Sequence, residues 1–93
     1  MKFDWDEQKH LVNLQRHEID FVEAEHIFEN DLFTFIDDRF EYGETRFVSF
    51  GLLDGEVVTI VYTENDETTR IISIRKATKN EQQIYFKKVG NQF

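Results

Sequence analysis

The segment from Arg70 to Tyr85 constrains the chain more than any other. It reads Arg-Ile-Ile-Ser-Ile-Arg-Lys-Ala-Thr-Lys-Asn-Glu-Gln-Gln-Ile-Tyr. Its first half is dense in β-branched residues, the composition of a buried strand. Its second half opens with Thr78-Lys79-Asn80-Glu81, a capping box. The Thr78 hydroxyl can accept from the Glu81 amide while the Glu81 carboxylate accepts from the Thr78 amide. A strand therefore runs straight into a helix, with Lys76 and Ala77 at the corner. Arg70 and Arg75 are an odd number of positions apart, so a regular strand points them to opposite faces. Arg75, Lys76 and Lys79 gather at the corner, beside a helix N-terminus whose free amides and dipole attract an anion.

The rest of the chain reads as elements that must pack around this unit. Met1 to Phe3 is a short apolar start fit for an edge strand. Asp4 or Asp6 can cap a helix running to about Arg16, with Leu11 and Leu14 on one face. After a break at His17-Glu18-Ile19, Asp20 and Glu23 give a second capping signature, with Ile19 able to staple against Ala24. Phe21, Ala24, Ile27 and Phe28 recur at helical spacing, which predicts a short helix over 21–29. The period then changes. Leu32 to Ile36, Thr45 to Leu53, Glu56 to Thr63 and Thr68 to Arg75 read as strands. Asp54-Gly55 is a strong two-residue hairpin signal. A last helix runs from about Lys79 to Val89, with Gly90 placed to end it. The expectation is an α+β fold in a single domain over residues 1–93. It has a four-stranded antiparallel sheet, with or without a short fifth strand at the N-terminus. Two helices precede the sheet and one follows it.

Charge is more informative in its distribution than in its sum of −8. Residues 1–69 hold 18 carboxylates against 5 Lys and Arg, and residues 70–93 hold one carboxylate against 6. An acidic whole argues against non-specific nucleic-acid binding, while the basic last quarter leaves room for a local anion site. With 93 residues there is material for one core. The chain has no cysteine, hence no disulfide framework and no thiolate chemistry. No apolar run approaches a membrane span and no signal-peptide pattern opens the chain, so a cytoplasmic protein is expected.

At this point the residues carry a resemblance. Phe3-Asp4-Trp5-Asp6 with Lys9 and Asn13, then Arg16-His17 followed by Phe21, Glu23, Ala24 and Phe28, then Gly43-Glu44-Thr45-Arg46-Phe47, and above all Arg70 to Thr78 with Glu81 and Tyr85, make the chain similar to the BrnT toxins of bacterial toxin–antitoxin pairs. The resemblance implies a fold like that of the RelE-type ribonucleases. It also implies RNA cleavage, and neutralisation by a BrnA-type antitoxin that itself binds DNA. No direct DNA binding by this chain is expected, and no membrane. Where this chain has Glu18 the family usually has glycine, and its C-terminal helix is usually more basic.

Cleavage of RNA without metal or other cofactor lets the 2′-OH attack the neighbouring phosphate. It needs a base, an acid and cations for the phosphorane. Arg46, Arg70 and Arg75 are candidates for the cation, since a guanidinium fork matches phosphate and stays charged. His17 titrates near neutrality and can act as base or acid. Tyr85 can stack on a base or hydrogen-bond a phosphate. Glu81 can act as base if its pKa is raised. The candidate catalytic set is thus Arg70, Arg75, His17, Tyr85 and Glu81, with Arg46, Lys76 and Lys79 binding RNA and no metal ligands. Each has a plainer reading. The arginines can be ion-pair partners, Glu81 a cap, Tyr85 a packed ring. His10 and His26 read as solvated helix surface. Two functions stay open: an endoribonuclease toxin, or a catalytically inactive protein-binding module of the same fold.

Overall fold

The computed structural model describes residues 1–90. Five strands form one mixed sheet in the order β1-β5-β4-β3-β2. They are β1 Lys2–Trp5, β2 Phe33–Asp37, β3 Arg46–Leu53, β4 Glu56–Glu64 and β5 Thr68–Lys76. Three α-helices accompany them: α1 Glu7–His17, α2 Ala24–Phe28 and α3 Lys79–Lys88. A single 3₁₀ turn, Phe21–Glu23, leads into α2. The α+β class is as expected, but the sheet is neither four-stranded nor wholly antiparallel. β1 is a full strand that lies parallel to β5, Lys2 opposite Thr68 and Trp5 opposite Ile71. Alternation in Lys2-Phe3-Asp4-Trp5 turns Phe3 and Trp5 onto the core beneath α2. That burial draws the N-terminus onto the open edge of the last strand.

Local signals act where they were read. Asp6 caps α1 by accepting from the Lys9 amide at 3.0 Å. Asp54 and Gly55 both take positive φ, 51° and 81°, as a tight β3–β4 hairpin requires. Thr78 and Glu81 complete the capping box of α3. Gly90 does not take the left-handed conformation, and Val89 closes the helix instead. Glu18 does take it, with φ 59° and ψ 26°, and its amide donates to Leu14 at the end of α1. A glycine there would serve the same helix-ending turn without a Cβ, so the departure at Glu18 concerns a cap.

The sheet separates two clusters. One face packs Ile60, Tyr62, Ile71 and Ile74 against Ile19, Phe21, Ala24 and Ile27. The other packs Val48, Phe50 and Val57 against Tyr85 and Val89 of α3. α1 docks through a polar face. Its Leu11 is 56 % exposed, while Asn13 is buried. The Asn13 amide donates to the carbonyls of Ile19 and Ile74 and accepts from the Ile74 amide. It thus stands in for a strand where β1 has ended, satisfying an edge of β5. Spacing alone picks the apolar stripe of Leu11 and Leu14, and the three hydrogen bonds of one amide override it. His10, expected on the surface, is mostly buried, with Nε2 2.8 Å from Asp20 and the ring against Trp5 and Phe21.

Candidate functional site

β5 carries a bulge that relocates a candidate residue. Ser73 opposes Val61 and Ile71 opposes Tyr62, so Ile72 has no partner on β4. Alternation therefore slips by one, and Ile71 and Ile74 enter the same cluster although three apart. Arg70 and Arg75 in consequence face the same side of the sheet, opposite Thr63 and Thr59. The odd spacing predicted opposite faces because it assumed a regular strand.

Being on one side does not bring them together. Their partners lie four positions apart on β4, about 13 Å at 3.3 Å per residue. Arg70 pairs with Asp4 at 3.3 Å and shares a recess with Glu44, Thr45 and Thr63. Arg46 lies over the Tyr42 ring, 3.9 Å from its centroid, and its Nε is 3.9 Å from Glu44. Lys76 pairs loosely with Glu56 at 3.8 Å, and Lys79 is exposed on the first turn of α3. Arg75, Lys76 and Lys79 thus stay at the β5–α3 corner, while Arg70, a candidate to act with them, stands near Arg46 at the other end of the sheet. Exposed pairs near 4 Å add little stability and exchange readily.

Arg75 and Glu81 do meet, in an open cleft of about 270 Å³ on the α3 side of the sheet. Arg75 donates from Nη1 to Oε1 at 2.7 Å and from Nη2 to Oε2 at 2.8 Å. Glu81 also accepts from the Thr78 amide at 2.8 Å and the Thr59 hydroxyl at 3.1 Å. The Arg75 guanidinium above all holds this carboxyl at about 2, against the opposing pull of burial. A raised pKa was the condition for Glu81 as a base, and the geometry does the reverse. Tyr85 is unavailable to a ligand: it is 2 % exposed and donates its hydroxyl to the Asp31 carbonyl at 3.0 Å. Burial pushes its pKa up. His17 lies elsewhere, in a recess between α1 and β5 with Lys9, Arg16 and Ser73.

One cleft residue escaped the sequence reading. Arg39 lines the same cleft, and its like charge repels that of Arg75. It donates from Nε and Nη2 to the buried Asp37 at 2.9 and 3.0 Å, and Tyr42 donates to Asp37 as well. The fork holds Asp37 at about 2. Asp38 and Arg39 follow β2 in a polar loop, and nothing in its local pattern says that the loop folds back toward Arg75. Phe35, Val48 and Val61 give the cleft an apolar floor.

The family described as "Ribonuclease toxin, BrnT, of type II toxin-antitoxin system" matches residues 5–81. The chain belongs to the BrnT family. No curated protein matches it. The BrnT match runs from Trp5 through the bulged strand to Glu81, so it spans both residues of the Arg75–Glu81 fork. BrnT proteins are ribonuclease toxins, and a type II system supplies each with an antitoxin protein. Among the described residues, no helix of this BrnT chain is long and apolar enough to cross a membrane.

Proposed function

We propose that this BrnT chain cuts RNA without a metal ion, at the cleft where Arg75 stands, and that a BrnA-type antitoxin neutralises it in the cytoplasm. Residues 1–93 work as one domain of RelE-like fold. The observation that carries this is the setting of Arg75. It lies at a strand end, on the wall of an open cleft, beside the capped N-terminus of α3 and facing Arg39. In the reaction the 2′-hydroxyl gives its proton to hydroxide from solvent, its oxygen attacks the adjacent phosphorus, the 5′-oxygen leaves and takes a proton from water, and a 2′,3′-cyclic phosphate remains. Charge peaks on the phosphorane, where a preorganised guanidinium contributes most. Glu81 acts as a positioning residue. Its Oε1 retains the Thr78 amide and the Thr59 hydroxyl when Arg75 turns toward a phosphate, while Oε2 gives up its Arg75 donor to the open cleft. Lys76 and Lys79 flank the corner and add attraction for the strand.

One observation favours the second reading, an inactive protein-binding module. Both Glu81 oxygens occupy the Arg75 fork, and the cleft holds carboxylates and guanidiniums but no histidine. Inducible expression of the chain alone separates the two. The ribonuclease reading expects growth arrest and RNA cleavage with the wild type and neither with Arg75→Ala. An intact transcript pool under wild-type expression decides for the module.

A further inference from the structure

In a chain of net charge −8, cations usually sit beside carboxylates. Lys9 and Arg16 do not, and neither do Lys2, Lys79 and Lys88: no carboxylate of the described residues lies within 4.0 Å of their charged atoms. Lys9 and Arg16 differ in facing one recess together, of about 480 Å³ between α1 and the edge of β5, with Val12, His17, Ile72 and Ser73. Asp6, at its rim, caps the Lys9 amide, and Asn13 is consumed by Ile19 and Ile74. Positions 9, 12, 13 and 16 share one face of α1, so the helix aims both long cations at one concavity. The helix dipole accounts for basic residues in the last turn, Arg16 and His17, but not for Lys9 in the first turns.

The recess adjoins the Arg75 cleft. Ser73 stands two residues before Arg75 on β5 and on the same side of the sheet, about 6–7 Å along the strand. Cations at the rim and an apolar floor of Val12 and Ile72 suit a nucleotide, which presents an anion and a flat apolar face together. An acidic peptide with apolar side chains would use the same features, but an RNA strand cut at Arg75 must pass two residues away on β5, which favours the nucleotide. We propose that this recess binds a second phosphodiester of the RNA strand that is cut at Arg75, with Lys9 and Arg16 on the phosphate and the attached base over Val12 and Ile72. The proposal rests on the ribonuclease reading above, and it makes the RNA path cross the free edge of β5.

The test measures binding of a short fluorescent single-stranded RNA to the full chain carrying Arg75→Ala, which keeps the RNA whole, across a salt series. Adding Lys9→Ala with Arg16→Ala should weaken binding about tenfold at low salt. It should also lower the slope of log K against log salt by about 0.7, the loss of one phosphate contact. Adding Lys2→Ala with Lys88→Ala removes the same charge outside the recess and should leave that slope almost unchanged. Both cations of the recess are exposed, so melting temperature should hold, and Arg16→Lys should restore part of the affinity. Equal losses from the two pairs, or none from the recess pair, overturn the proposal. So does a recess pair that loses antitoxin affinity and keeps RNA affinity. Cleavage that persists in Arg75→Ala counts against the catalytic reading instead. In that event the recess is judged in the wild-type background, by a rise in KM at constant kcat.

Discussion

Arg75 and Glu81 are joined by two parallel hydrogen bonds, at 2.7 and 2.8 Å, across the corner where β5 becomes α3. The same carboxylate closes the capping box of α3. One side chain thus couples a helix start to the orientation of the cleft's guanidinium. The guanidinium is held toward Glu81 by both of its terminal nitrogens.

Arg75→Ala should separate catalysis from stability. Losing a charge-assisted contact made in the transition state costs on the order of 2.7–4 kcal/mol, a 100- to 1,000-fold fall in kcat. The fork is half-exposed on the arginine side, and Glu81 keeps two other donors. Stability should then fall by only about 1–2 kcal/mol. Cleavage rate and melting temperature, measured on the same preparation, give both numbers. An undiminished rate in a folded variant removes Arg75 from the mechanism.

The pH–rate profile should tell whether His17 takes part. The cleft contains no histidine, and His17 lies in the α1 recess. A reaction driven by charge stabilisation alone should climb through neutral pH with no bell. His17→Asn should leave that profile in place. A bell that vanishes in His17→Asn would return the histidine to the catalytic set.

Acid should loosen the β5–α3 corner. Glu81 has its pKa depressed from the ordinary 4.5 to about 2. A depressed carboxyl contributes stability that is present above its unfolded pKa and lost as pH falls through the folded one. The loss should therefore appear between about pH 4.5 and 2, on the order of 2 kcal/mol after allowing for the exposure of Arg75. Glu81→Gln should flatten this part of the curve in urea unfolding followed by circular dichroism.

His10 should give the opposite sign at higher pH. The Glu7 hydrogen bond raises its pKa most, with further support from Asp20 and opposition from burial. A raised pKa contributes stability that is fully present below the unfolded value of 6.5 and lost as pH rises through the folded one. Unfolding free energy should thus decline above pH 6.5, and His10→Gln should remove that decline. Proton NMR of the His10 ring gives the midpoint directly, and a midpoint below 6.5 contradicts the assignment.

Glu18→Gly should stabilise the protein. Glu18 holds a left-handed conformation that costs a residue with a Cβ roughly 1 kcal/mol relative to glycine. The denaturant midpoint should rise accordingly while cleavage stays unchanged. A fall in activity would mean that Glu18 does more than end α1.

The sequence by itself determined what depends on neighbours along the chain. The capping box at Thr78 and the Asp54-Gly55 hairpin are contacts within a few residues, so their signatures are local and their positions came out right, while the α1 cap, open between Asp4 and Asp6, fell to Asp6. The block from Arg70 to Thr78 likewise pointed to the BrnT family. Tertiary structure decided the rest. Whether Arg70 and Arg75 share a face depended on one unpaired residue, Ile72, which long-range pairing with β4 imposes. Which face of α1 is buried depended on Asn13 finding Ile74, 61 positions away. The ligand-binding prospects of Tyr85 ended with its burial under β2 and β3, and Arg39 reached the cleft through a loop held by buried Asp37. Each of these turns on a backbone group or charge supplied by a distant segment, and no periodicity in the local sequence encodes where that partner will stand.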